Sequence, residues 1–347
     1  MGTLWFWIVS GMLATYVVLD GFDLGVGIVF PFVARTEDER RQAMGAIGPF
    51  WDGNEVWLLA GGGTLFFAFP LVYASSFSGF YLPLMIVLWL LVLRGLAVEL
   101  RRHAQDAIWR RLCDGLFFFS SSVLAVFFGA ALANVIRGVP IGPDNYFYLP
   151  LWTNWRVGPS PGILDWYTVI GGVVALAALA LHGALFLALK TEGALEERAR
   201  VAAGRLWPIV VAGTVLSIPA TVLARPSSMA NYRQHPAAWL APAAVAAGLA
   251  LVALARRGRR PLAAFLGSCV YLAAMFCGAS AGLYPALLPS AVDPARDITI
   301  ARALAGPHAL RVGLVWWALG TILALAYFGI VYRMFRGKVP REGGYGH

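Results

Sequence analysis

Residues 5–31 read WFWIVSGMLATYVVLDGFDLGVGIVFP, an apolar run broken by two aspartates. About 20 mostly apolar residues suffice to cross a hydrocarbon core, so the run is long enough to span a membrane. No basic residue precedes it, and it reads as a true span, not as a cleaved signal peptide. Asp20 and Asp23 are three apart and share one face of a helix. Gly21 and Gly25 form a small-xxx-small pair that lets a neighbouring helix come close. Ionisable groups inside a span are costly, which makes both aspartates functional candidates.

Further stretches meet the same criterion at approximately 49–71, 77–100, 113–136, 163–189, 206–224, 237–255, 261–287 and 309–335. With the first they predict an all-α polytopic membrane protein of about nine transmembrane helices. Composition agrees: 59% of the 347 residues are hydrophobic and 13% charged, and mean hydropathy is +0.70. A soluble domain carries about 25% charged residues, so an ordinary soluble enzyme, a disordered chain and a disulfide scaffold are excluded. The longest connections, over 137–162 and 288–308, are too short for a soluble domain.

A formal charge of +9 would suggest nucleic acid in a soluble protein, but its distribution argues against that. Basic residues gather after alternate spans: Arg35, Arg40 and Arg41; Arg101, Arg102, Arg110 and Arg111; Lys190, Arg198, Arg200 and Arg205; Arg256, Arg257, Arg259 and Arg260; Arg333, Arg336, Lys338 and Arg341. The other connections hold a pair (Arg137 and Arg156, Arg225 and Arg233, Arg296 and Arg302) or none. Cytoplasmic loops are the ones rich in Lys and Arg, which predicts the N-terminus outside and the C-terminus cytoplasmic. The charge is thus a topology signal with some attraction to the lipid membrane, and no nucleic acid partner is expected. Cys113, Cys269 and Cys277 form no CxxC pair and read as small apolar packing residues.

The second polar run is Gly48-Pro49-Phe50-Trp51-Asp52-Gly53-Asn54-Glu55-Val56-Trp57-Leu58. Gly48 and Pro49 look like a helix start, with Pro in the first turn. Asp52 and Glu55 then enter from the cytoplasmic side by about 5 and 9 Å, while Asp23 and Asp20 lie about 12 and 16 Å below the end of span 1. Arg94 sits about 9 Å deep near the end of span 3. Asp52 alone is open to a bland reading, as a residue favoured by the helix dipole or a cap. Arg94 and Glu99 could reach the interface by snorkelling. Four carboxylates against one arginine cannot all stay ionised in a low-dielectric setting, which is the condition a proton relay requires. The expected route opens to the cytoplasm and leads inward through Asp52, Glu55, Asp23 and Asp20.

Haem needs axial His or Met within the spans. Of His103, His182, His235, His308 and His347, only His182 lies well inside one, and it reads more readily as a hydrogen-bonded packing residue than as a ligand. No metal site is expected. There is no Walker loop, and Gly25-Val26-Gly27 follows no strand, which excludes dinucleotide binding. Gly61-Gly62-Gly63 reads as close packing or a bend.

Taken together, the two polar runs resemble subunit II of the cytochrome bd-type quinol oxidases. The matching pieces are Asp20-Gly-Phe-Asp23-Leu-Gly25-Val-Gly27 and Trp51-Asp-Gly-Asn-Glu55-Val-Trp57-Leu58, then Phe69-Pro70, Tyr73, Phe77-Ser-Gly-Phe-Tyr81 and Arg94. Softer matches follow in His182-Gly-Ala, Lys190-Thr-Glu-Gly193, Tyr284-Pro285 and Leu288-Pro289-Ser290. The resemblance implies two four-helix bundles plus one peripheral helix. That divides the chain into a first bundle with the acidic ladder (1–136), an extracytoplasmic loop (137–162), a second bundle (163–287), and a peripheral helix with cytoplasmic tail (288–347). It implies a place in the bacterial inner membrane beside subunit I, which would hold haem b and haem d, with none ligated by this chain. The complex would oxidise quinol and reduce oxygen to water with cytoplasmic protons. In that picture Asp20, Asp23, Asp52 and Glu55 belong to the proton route. Trp51, Asn54, Trp57 and Arg94 shape the region between route and partner, and Trp57 is also a candidate for an apolar oxygen path. A structural quinone and a small accessory subunit are further companions the resemblance admits.

Two other classes compete. Buried carboxylates in a many-span chain also suit a proton-coupled secondary transporter, although spans 5–8 show no counterpart to the acidic ladder. A purely structural membrane subunit, whose acids only fix helix packing, is the third.

Overall fold

The computed structural model describes residues 1–103 and 106–340. Arg341 of the basic tail and His347 lie outside the described residues. The helices are α1 (Gly2–Val33), α2 (Glu37–Ile47), α3 (Trp51–Ala68), α4 (Pro70–Gly79), α5 (Tyr81–His103), α6 (Ala107–Arg137) and α7 (Trp166–Lys190). They continue as α8 (Gly193–Ala224), α9 (Ser228–Gln234), α10 (Leu240–Arg257), α11 (Pro261–Leu283), α12 (Ile300–Ala303) and α13 (Pro307–Met334). Between α11 and α12, β1 (Ala286–Leu288) pairs antiparallel with β2 (Ile298–Thr299).

Eight of these elements are long and apolar enough to cross a membrane: α1, α5, α6, α7, α8, α10 with the 3₁₀ turn before it, α11 and α13. The remaining expected span, 49–71, becomes the 18-residue α3, about 27 Å long, which carries Asp52 and Glu55. It stops where Phe69 leaves helical geometry before Pro70. Its start also differs from expectation. Phe50 caps the helix and Trp51 opens it, so Gly48 and Pro49 form the preceding turn.

Two other differences are instructive. The basic stretch expected as a loop before 206 is helical from Gly193 onward. Leu195, Ala199 and Ala203 recur at four-residue spacing and are all buried, so the helix follows its packing face beyond the apolar segment. The loop after span 1 contains α2. Thr36 accepts from the Glu39 N–H, and Glu39 Oε2 accepts back from the Thr36 N–H at 3.0 Å, a capping box.

At the centre lies α1, packed against α3, α6, α7 and α11. Its glycines decide how close α7 comes. A Cβ on Gly25 would strike the backbone of Leu179 and Gly183, and one on Gly183 would strike Gly25. The small-residue contact therefore pairs Gly25 with Gly183, while Gly21 faces the Leu179 and His182 side chains. In the triple-glycine run only Gly61 is closely approached, by Leu13; Gly62 and Gly63 face open space. Large apolar side chains such as Leu59, Leu223 and Leu323 stand outward on the long helices, as a lipid-facing surface requires. Leu310 is the buried residue of α13, which rides on the outside.

Candidate functional site

Arg94 points from α5 into the middle of the first helices and is fully buried. Its Nη1 donates to Asp20 Oδ1 at 2.6 Å and its Nη2 to Glu55 Oε2 at 2.9 Å. One guanidinium thus joins a carboxylate of α1 to one of α3. The helical periodicity of α1 turns Asp20 and Asp23 to the same side, toward α3 and α5. Asp23 Oδ2 accepts from Asn54 Nδ2 at 2.8 Å, and the same amide donates to the Leu19 carbonyl at 3.2 Å. Asp20, Asp23, Asn54 and Arg94 are all sealed from solvent, whereas the Glu55 side chain keeps 23% of its surface exposed.

Asp52 is outside this cluster. It lies in the first turn of α3, is exposed, and makes no cap bond. Trp51 packs its ring along Gly95 of α5. Trp57 is half-buried against Phe328 of α13, with ring centroids 5.9 Å apart. Sequence reading missed Tyr16, one turn before Asp20. Its hydroxyl is buried beside that carboxylate, and neither it nor Asp20 Oδ2 has a hydrogen-bond partner. The i, i+4 spacing to Asp20 was the available signal.

The cluster is not fully satisfied. Asp20 Oδ2, Asp23 Oδ1, Asn54 Oδ1, Arg94 Nε, Tyr16 Oη and Trp57 Nε1 are buried without a protein partner. Buried polar atoms are paired in the great majority of cases, so such a concentration marks a site that works through protons or water.

On the other side of α1, His182 is fully committed. Nε2 donates to the Val18 carbonyl at 2.9 Å, Nδ1 meets Ser268 Oγ at 2.7 Å, and the ring stacks on Phe265.

At the cytoplasmically assigned end, Arg101 pairs with Asp114 and with Glu37 at 3.2 Å, and Arg40 reaches Asp114 at 2.8 Å. These bonds lay α2 across the ends of α5 and α6. Glu39 pairs with Arg198 of α8. Burial pushes the Glu39 carboxyl up, but the Arg198 guanidinium and the N–H groups of Thr36 and Arg35 outweigh it and leave it below the ordinary glutamate value.

The family model "Cytochrome bd terminal oxidase subunit II" matches residues 1–335. The chain belongs to that family. It is 33% identical to the "Cytochrome bd ubiquinol oxidase subunit 2" of Bacillus subtilis, over 98% of this chain and 97% of the relative. It is 32% identical to the "Probable cytochrome oxidase subunit 2" of Haemophilus influenzae, over 97% and 94%. The "Cytochrome bd-I ubiquinol oxidase subunit 2" of Escherichia coli is 29% identical over 98% and 95%. A chain of the bd oxidase structure from Geobacillus thermodenitrificans shares the fold, with a TM-score of 0.76 at 16% identity over 96% and 98% of the two chains.

Membership of a cytochrome family implies haems in the complex. The residues of this chain do not fit an axial ligand set. His182 has spent both ring nitrogens, and His103, His235 and His308 are exposed. Among the described residues no three His, Cys, Asp or Glu side chains gather as a metal site.

Proposed function

We propose that this chain is the second subunit of a quinol-oxidising, oxygen-reducing membrane complex, and that its carboxylates carry protons inward from the cytoplasmic side. Its relatives are named as second subunits of bd oxidases, two of them ubiquinol oxidases. The observation that carries the proton reading is a burial gradient along a connected set. Asp52 is exposed, Glu55 is partly exposed, and Asp20 is sealed, with Arg94 bridging the last two. Asp23 and Asn54 lie beside that line, one turn further along α1 and within α3. A proton entering at Asp52 meets acceptors of falling solvent access, which is the arrangement a relay needs.

In this reading the nine long helices form two four-helix bundles plus peripheral α13, with the N-terminus outside. Subunit I stands alongside and holds haem b and haem d; quinol and oxygen react there. The membrane is the bacterial inner membrane. Trp51 and Trp57 line the partner-facing side of α3. A structural quinone and a small accessory subunit fit the same picture.

The test is purification from the native membrane in mild detergent. The reading expects a second polypeptide to co-purify with haem b and haem d bands in the visible spectrum. Asp23→Asn is expected to slow oxygen consumption at least tenfold with haem content intact. A colourless single chain that moves a solute in liposomes would sink the oxidase reading in favour of a transporter. Full turnover after replacing Asp20, Asp23, Asp52 and Glu55 one at a time would leave only the structural subunit.

A further inference from the structure

The outermost long helix reaches into the carboxylate site. The last turn of α13 is strapped down. Lys190 Nζ of α7 donates to the Phe335 carbonyl at 2.5 Å, and Val339 N–H donates to the Lys190 carbonyl at 2.7 Å. Gln42 Nε2 of α2 donates to the Val339 carbonyl at 2.7 Å, and Lys338 pairs with Glu196 at 2.7 Å. These contacts fix Tyr332, whose ring stacks on Phe50, the cap of α3, at 4.7 Å and 24°. The Tyr332 hydroxyl is buried, lacks a hydrogen-bond partner, and faces the Asn54 side chain with Asp23 nearby.

Asn54 uses both amide hydrogens, on Leu19 and on Asp23. Its Oδ1 is a buried acceptor with no donor, while the Tyr332 O–H is a buried donor with no acceptor. The two needs are complementary, and a small adjustment joins them.

We propose that Tyr332 is a positioning residue for the acidic site: its hydroxyl donates to Asn54 Oδ1 and holds the amide with Nδ2 against Asp23. An amide turned over would present an acceptor to Asp23, which would then need its own proton to make the bond. The orientation of Asn54 therefore sets how Asp23 holds a proton, and α13 is a wall of the site as well as an outer helix. The kinetic consequence rests on the proton-route reading; the contact itself does not.

The experiment uses the assembled oxidase with Tyr332→Phe, Asn54→Ala, both together, and Asp23→Asn. Haem content checks assembly, and Phe keeps the stack on Phe50. Infrared difference spectra across a pH step identify the Asp23 carboxyl band by its loss in Asp23→Asn. Tyr332→Phe is expected to shift that band and to displace the pH profile of turnover, with a rate loss of about fivefold, one ordinary hydrogen bond's worth. In the Asn54→Ala background the Phe substitution is expected to add nothing. An unmoved band overturns the proposal, as do two losses that multiply in the double variant. Full turnover in Asp23→Asn would sink the proton route alone, and the infrared band then decides the Tyr332 contact by itself. If Tyr332→Phe fails to assemble, a ring-fluorinated tyrosine at 332, a stronger donor of the same shape, must move the band or the proposal falls.

Discussion

Two arginines are sealed inside this protein with aspartate partners, and they are treated in opposite ways. Arg137, at the end of α6, pairs with Asp165, and both side chains have no exposed surface. Every nitrogen is used: Nε on the Gly138 carbonyl, Nη1 also on the Gly162 carbonyl at 3.1 Å, and Nη2 on Asn134 Oδ1 at 2.6 Å. Asp165 in turn caps α7, accepting from the Tyr167 and Thr168 N–H groups at 2.9 Å each. Arg94 is as deeply buried, yet its Nε, the second oxygen of Asp20 and the neighbouring Asp23, Asn54 and Tyr16 atoms are left open. A closed network fixes geometry; an open one keeps sites for protons or water. Arg137 closes the long connection onto α7, whereas Arg94 holds a site that can change state.

The sharpest way to break this contrast is to remove each arginine. Arg137→Ala strands a carboxylate that already serves two backbone donors, and breaking such a buried pair costs about 3–5 kcal/mol. The expected result is loss of the assembled, haem-containing complex from membranes. Arg94→Ala is expected to assemble, because Asp20 already has an oxygen without a donor, and to lose at least tenfold in oxygen consumption. Equal assembly defects in the two variants would show that both arginines are clamps.

A smaller effect separates the two carboxylates of α3. Glu55 touches Arg94 and Asp52 touches nothing in the cluster. Glu55→Gln is expected to slow turnover on the order of tenfold, and Asp52→Asn by about twofold, since bulk water can replace an exposed relay group. Oxygen-electrode rates on variants matched for haem content check this. The reverse order would place the entry elsewhere on α3.

The same contrast explains what the sequence made legible. Asp20, Asp23, Asn54 and Glu55 stood out because acids at three-residue spacing inside apolar runs have few bland explanations. Their meeting with Arg94 follows from depth and topology. Tyr16 and Tyr332 were hidden, because a tyrosine in a span is ordinary and only the fold shows that its hydroxyl is buried and unpaired. Arg137 and Asp165 looked like loop charges, since their pairing spans a connection with no periodicity. Hydropathy located the long helices but misjudged their ends. It cannot see that Leu195, Ala199 and Ala203 extend α8 through a charged stretch, or that Thr36 and Glu39 cap α2. The capping box was nevertheless written in the sequence as Thr-x-x-Glu ahead of a helical run.

The smallest expected effect tests whether the charged end of the protein belongs with the closed networks. Glu39 joins the α2 cap to Arg198, and its folded carboxyl lies below its ordinary value of 4.5. A lowered folded value means the carboxylate contributes stability above the unfolded value, and that contribution disappears as pH falls from about 4.5 through the lower folded value. The pair is partly solvated, so the contribution is about 1 kcal/mol or less. Hydrogen exchange of α2, compared at each pH between the natural protein and Glu39→Gln, cancels the intrinsic pH dependence of exchange. The natural protein is expected to be better protected at neutral pH, with the gap closing below pH 4.5. A gap that persists in acid would mean that Glu39 holds α2 through packing and not through its charge, and the α2 junction would then differ in kind from the Arg137 clamp.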